Sequence, residues 1–90
     1  MNNYVAKVAN LFLHRRGSTL QLSPLDWQMI SEWERKGVPL QIVCRVIDDI
    51  FDKIQMKPKH LRPNIKTIAY CAEEIEIAFE TWCELQVGKI

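Results

Sequence analysis

Hydrophobic side chains recur along this chain at intervals of three and four residues, and glycine and proline interrupt the pattern. Residues three and four apart share one face of an α-helix, so the pattern predicts amphipathic helices throughout. The expected helices cover about residues 3–16, 24–36, 39–55 and 67–87. Joined by short connections, they predict an all-α fold, a small bundle of four helices that forms a single helical domain over residues 1–90.

The ends of these helices carry recognisable start and stop signals. Ser23 is the expected N-cap of the second helix, with Pro24 at its first position and Asp26 completing a capping box. Gly37 is expected to end that helix, because glycine readily adopts the left-handed conformation that follows a helix C-terminus. Thr67 is the expected N-cap of the fourth helix.

The strongest core pattern lies in the third and fourth helices. The apolar face of the third helix consists of Leu40, Val43, Val46, Ile47, Ile50, Phe51 and Ile54. That of the fourth helix consists of Ile68, Cys71, Ala72, Ile75, Ala78, Phe79 and Trp82. The second helix has a shorter stripe of Leu25, Met29, Ile30 and Trp33. We expect the two long faces to pack against each other, with Trp33 closing the core.

Composition places the chain among folded globular proteins, because 48% of its residues are hydrophobic and 26% are charged. The net charge of +1 argues against strong overall attraction to nucleic acid or membrane. No run reaches the roughly 18 apolar residues of a membrane span, and the start lacks a secretory pattern. Three cysteines, Cys44, Cys71 and Cys83, fit reduced thiols, so we expect a cytoplasmic protein without a membrane partner.

The sequence offers no pattern for catalysis, metal binding or cofactor binding. There is no Cys-x-x-Cys pair, and neither His14 nor His60 has a cysteine at ligand spacing. The three glycines do not form a phosphate-binding loop. We therefore expect no catalytic residues, no metal and no cofactor, and we expect that the protein is not an enzyme.

A basic segment, residues 53–66, runs from the last turn of the third helix to the start of the fourth. It contains Lys53, Lys57, Lys59, Arg62 and Lys66, and it has no acidic residue. Such a run either contacts the phosphates of a nucleic acid or is a solvated loop that balances the acidic fourth helix. Trp27 and Tyr70, at helix starts near the edges of the apolar faces, are open to stacking on unpaired bases. The predicted nucleic-acid site is therefore Lys57, Lys59, Arg62, Lys66, Tyr70 and Trp27.

The pattern as a whole resembles a DnaD-like domain, a helical module of bacterial and phage replication-initiation proteins. The resemblance covers about residues 5–82. It rests on Gly17, Leu22-Ser23-Pro24, Trp33, Gly37-Val38-Pro39-Leu40, Ile42-Val43, Ile47 and a last helix from Tyr70 to Trp82. The resemblance implies a helical fold and a role in DNA replication, with single- or double-stranded DNA or a replication protein as partner.

The alternative hypothesis is a protein-interaction adaptor with no nucleic-acid role. Its contact surface would be the polar side of the fourth helix, formed by Glu73, Glu76, Ile77, Glu80 and Glu84. The simplest form of this hypothesis is self-association as a homodimer. The sequence leaves both hypotheses open.

Overall fold

Across the residues that the structure describes, the protein is an all-α fold of four helices, as the sequence predicts. A computed structural model describes residues 3–17 and 21–87. The helices are α1 (Asn3–Arg16), α2 (Pro24–Lys36), α3 (Leu40–Gln55) and α4 (Ala69–Val87), and a short 3₁₀ turn spans Lys59–Leu61. None of the described residues belongs to a β-strand. Nor is any helix within these two ranges long and apolar enough to cross a membrane.

Helix α2 begins and ends as its sequence signals indicate. The Asp26 amide donates to the Ser23 hydroxyl, and the Ser23 amide donates to the Asp26 carboxylate, so both halves of the capping box are present. At the other end Gly37 has φ of 86°, and the Val38 amide donates to the Trp33 carbonyl oxygen at 2.9 Å. This Schellman-type ending allows α3 to start almost at once.

Helices α3 and α4 both start later than predicted. Pro39 is the N-cap of α3 rather than its first residue. Helix α4 starts at Ala69, because Thr67 and Ile68 form a tighter turn first. In that turn the amides of Tyr70 and Cys71 donate to carbonyl oxygens three residues back.

Helix α3 is the centre of the fold, since it packs against both α1 and α4, while α2 packs against α1. The buried face of α3 consists of Ile42, Val43, Val46, Ile47, Ile50, Phe51 and Ile54. The predicted pairing of α3 with α4 is confirmed, and α1 is an equal partner. Phe12 of α1 meets Phe51 edge to face, with ring centroids 5.9 Å apart. Trp33 is buried, as expected.

Two residues assigned to the core by periodicity are exposed. Leu25 is 58% exposed. The buried residues of α2 are Asp26, Ile30 and Trp33, so Asp26 takes the inward position that was predicted for Leu25. Trp82 is 36% exposed, because it lies beyond Ile75, the last fully buried position among residues 69–86. Exposure on α4 therefore increases toward its C-terminal end.

Candidate functional site

A cationic groove lies where the end of α1 meets the segment before α4. Its volume is about 360 Å³. It is lined by Arg15, Arg16, Phe51, Ile54, Gln55, Arg62, Pro63, Asn64, Ile65 and Lys66. Four of these side chains are cations and none is an acid, so the groove is suited to an anion. We call this surface the cationic groove.

Arg15 is held in the wall of the groove by two carboxylates of α3. Its Nη1 donates to Asp48 at 3.1 Å, and its Nη2 donates to Asp52 at 2.6 Å. Its guanidinium also lies 5.8 Å from the centre of the Phe51 ring. The hydrogen bond to Asp52 is the main cause of a raised pKa for Arg15. Its charge is thus fixed in place, but it is partly offset by the two aspartates.

Arg16 joins α1 to the basic segment. Its Nη1 donates to the carbonyl oxygen of Lys66 at 2.9 Å, across 50 positions of sequence. Its guanidinium lies 5.2 Å from the centre of the Phe12 ring. Since Phe12 is fully buried, this contact ties the arginine to the hydrophobic core.

Arg62 closes the C-terminal end of α3. Its Nε donates to the Lys57 carbonyl oxygen and its Nη2 to the Gln55 carbonyl oxygen, each at 2.9 Å. Carbonyl groups at a helix C-terminus lack partners within the helix, so a cation stabilises them. The contact therefore has a structural role, and it also places a third guanidinium at the groove.

The structure brings together only part of the predicted nucleic-acid site. Arg62 and Lys66 line the cationic groove, while Lys57 and Lys59 are exposed on the same segment but are not part of its lining. Tyr70 lies in a different groove, as described below, and Trp27 is 43% exposed on α2 and lines neither groove.

Sequence reasoning missed Arg15 and Arg16 as groove residues. Their signal was the basic last turn of α1, which helix-dipole stabilisation explains equally well.

A second groove runs between α3 and α4, and we call it the acidic groove. Its volume is about 630 Å³. It is lined by Val46, Asp49, Lys53, Tyr70, Glu73, Glu74, Ile77 and Ala78. It shares no lining residue with the cationic groove.

The alternative contact surface predicted on the fourth helix is divided in the structure. Glu73 and Ile77 line the acidic groove. Glu76 faces α2, where Lys36 Nζ donates to both of its oxygens at 3.0 Å. Glu80 and Glu84 are exposed beyond the lining of the groove.

The buried ionisable groups have structural explanations. Burial would raise the pKa of Asp26, but hydrogen bonds from Thr67, Ser23 and Ile68 lower it overall. Burial, followed by the charge of Glu74, raises the pKa of Cys71 to about 12, so its thiol stays protonated near neutral pH. Within the described ranges, no three His, Cys, Asp or Glu side chains are placed to hold a metal ion.

Comparison with known proteins assigns the chain to a family. A family model described as "Uncharacterised protein" matches residues 3–90, and the chain therefore belongs to that family. No curated protein and no solved structure matches it. The resemblance to a DnaD-like domain is therefore wrong: the matching family is a different one and covers nearly the whole chain. Helix-start signals and a glycine turn are shared by many unrelated helical domains, which explains the error.

Proposed function

We propose that this member of the family is a non-catalytic module that binds the phosphate backbone of a nucleic acid through the cationic groove. The observation that supports the proposal is the convergence of Arg15, Arg16, Arg62 and Lys66 around a groove with no acidic lining. Its three free cysteines also fit the reducing environment of the cytoplasm, where such a ligand is available.

The four cations of the groove do not contribute equally. Because Arg15 is already paired with Asp48 and Asp52, part of its positive charge is offset. Each phosphate contact displaces a condensed counterion, so about three contacts give a logarithmic salt slope of roughly −2 to −3. The overall charge of +1 means that binding depends on this local surface.

The proposal concerns phosphate contacts and assigns no base stacking to Tyr70. The neighbours of Tyr70 in the acidic groove include Glu73 and Glu74, which repel a polyanion. Phosphate contacts carry no sequence information, so we expect weak discrimination between sequences.

The test is fluorescence anisotropy with labelled single- and double-stranded oligonucleotides over a salt series. In the double variant Arg62→Gln/Lys66→Gln we expect about a tenfold weaker affinity at low salt and a salt slope smaller by about 1 to 2. The matched control is Lys7→Gln/Arg45→Gln, which removes the same charge from exposed positions outside the groove. We expect the control to change affinity by less than about twofold.

Two outcomes would overturn the proposal. One is the absence of binding to either oligonucleotide at low salt. The other is an equal loss in the two double variants, which would mean that total charge rather than the groove governs binding. Thermal unfolding of each variant separates these outcomes from misfolding, because Arg62 also closes the end of α3.

A further inference from the structure

The acidic groove has an apolar floor that remains open to solvent. Val46 and Ala78 form its deeper part, being buried and half-buried. Ile77 and Tyr70 stand along α4 at 54% and 50% exposure. They are seven residues apart, so they lie on the same side of the helix, two turns from each other. This spacing matches the repeat of a second helix laid alongside α4.

The rim of the groove is negatively charged. Asp49 stands on the α3 side, and Glu73 and Glu74 stand on the α4 side. Lys53 is the one cation among the lining residues. An occupant that buries the apolar floor must therefore present positive charge at its edges, because like charges repel across an interface.

A second copy of the same chain fits this requirement poorly. Helix α4 contains five glutamates and no lysine or arginine between Ala69 and Val87. A twofold contact through this surface pairs each patch with its own copy, so glutamate would face glutamate. The charge pattern favours a different protein as the occupant.

We propose that the acidic groove binds a cationic amphipathic helix of another protein, with apolar side chains on Ile77, Tyr70 and Val46 and with lysine or arginine beside Asp49, Glu73 and Glu74. This inference is independent of nucleic-acid binding, because no residue lines both grooves. It assigns a basic, helical protein partner to the surface between α3 and α4.

The test uses two synthetic amphipathic peptides of about 18 residues, roughly five helical turns each. One carries leucine and lysine at helical spacing, and the other carries glutamate in place of lysine. Anisotropy of the labelled peptides should show saturable one-to-one binding of the leucine–lysine peptide. The leucine–glutamate peptide should bind at least about tenfold more weakly.

Matched pairs of variants locate the binding. Ile77→Ser should weaken binding of the leucine–lysine peptide about tenfold, and Leu25→Ser, at an equally exposed position on α2, should leave it within about twofold. Glu73→Gln/Glu74→Gln should weaken it about fivefold or more. Glu80→Gln/Glu84→Gln removes the same charge from α4 outside the groove and should have little effect.

Three results would overturn the inference. The first is equal binding of both peptides, and the second is equal loss in the two glutamine double variants. The third is a dimer in sedimentation velocity that Ile77→Ser dissociates, because a second copy would then be the occupant. Peptide binding that survives the Arg62→Gln/Lys66→Gln change would separate this surface from the cationic groove.

Discussion

The carboxylate of Asp26 accepts a hydrogen bond of 2.5 Å from the hydroxyl of Thr67, 41 positions along the chain. The same oxygen accepts a bond from the Ile68 amide at 3.1 Å, and the other oxygen accepts one from the Ser23 amide. Asp26 is only 1% exposed. A single buried carboxylate thus holds the N-terminal end of α2 and the start of α4 together, at the positive ends of both helix dipoles.

Replacing Asp26 with alanine should lower the free energy of unfolding by about 2–4 kcal/mol. The change removes a helix cap, worth about 1 kcal/mol, and leaves the buried Ile68 amide without an acceptor, at about 1–3 kcal/mol. Urea unfolding followed by circular dichroism measures the loss. Asp49→Ala, at an exposed position of α3, is the control and should stay within about 0.5 kcal/mol. Equal losses in the two variants would contradict this role for Asp26.

The contribution of Asp26 should disappear in acid. Its pKa lies below the usual value of 3.8 because hydrogen bonds to the charged form outweigh the effect of burial. A carboxyl whose pKa is lower in the folded state stabilises the fold above its unfolded pKa, and this stability is lost as pH falls through the folded pKa. Asp26→Asn should therefore cost most near neutral pH and progressively less below about pH 4. Urea titrations of both proteins across this range measure the difference, and a constant difference would contradict the expectation.

Local signals in the sequence were sufficient for the helices but not for their tertiary partners. The capping box of Ser23 and Asp26 and the turn at Gly37 depend on neighbouring residues, and all were predictable. The bond from Thr67 to Asp26 depends on how α2 meets α4, which no local pattern specifies. For the same reason periodicity placed Leu25 in the core, although Asp26 occupies the inward position next to it.

The cationic groove was predictable only in part, for the same reason. Arg62 and Lys66 were predicted from a run of basic residues within one segment. Arg15 and Arg16 are some 50 positions from Lys66 in the sequence. They reach the groove only because α1 packs against α3. The run of basic residues therefore indicates one segment that lines the groove, and the helix packing determines which other side chains line it.

Substitution of Phe51 tests the packing of α1 on α3. It is 5% exposed and meets the Phe12 ring edge to face at 5.9 Å. Phe51→Ala should lower the free energy of unfolding by about 3–5 kcal/mol, because it removes buried area and leaves a cavity between the helices. Leu25→Ala, on the exposed side of α2, should change it by less than about 0.5 kcal/mol. Urea unfolding distinguishes the two, and a loss below about 1 kcal/mol in Phe51→Ala would place that ring outside the core.

The rate at which Cys71 is alkylated measures local unfolding at the start of α4. Its side chain is fully buried, and its pKa of about 12 leaves only about one thiol in ten thousand ionised at pH 8. In a Cys44→Ser/Cys83→Ser background, iodoacetamide should therefore alkylate Cys71 at least about a hundredfold more slowly in the native protein than in urea-unfolded protein. Mass spectrometry of timed samples gives the rate. Because Asp26 holds this end of α4, Asp26→Ala should speed labelling and Asp49→Ala should not. Equal rates in these two variants would mean that α4 opens independently of its bond to α2.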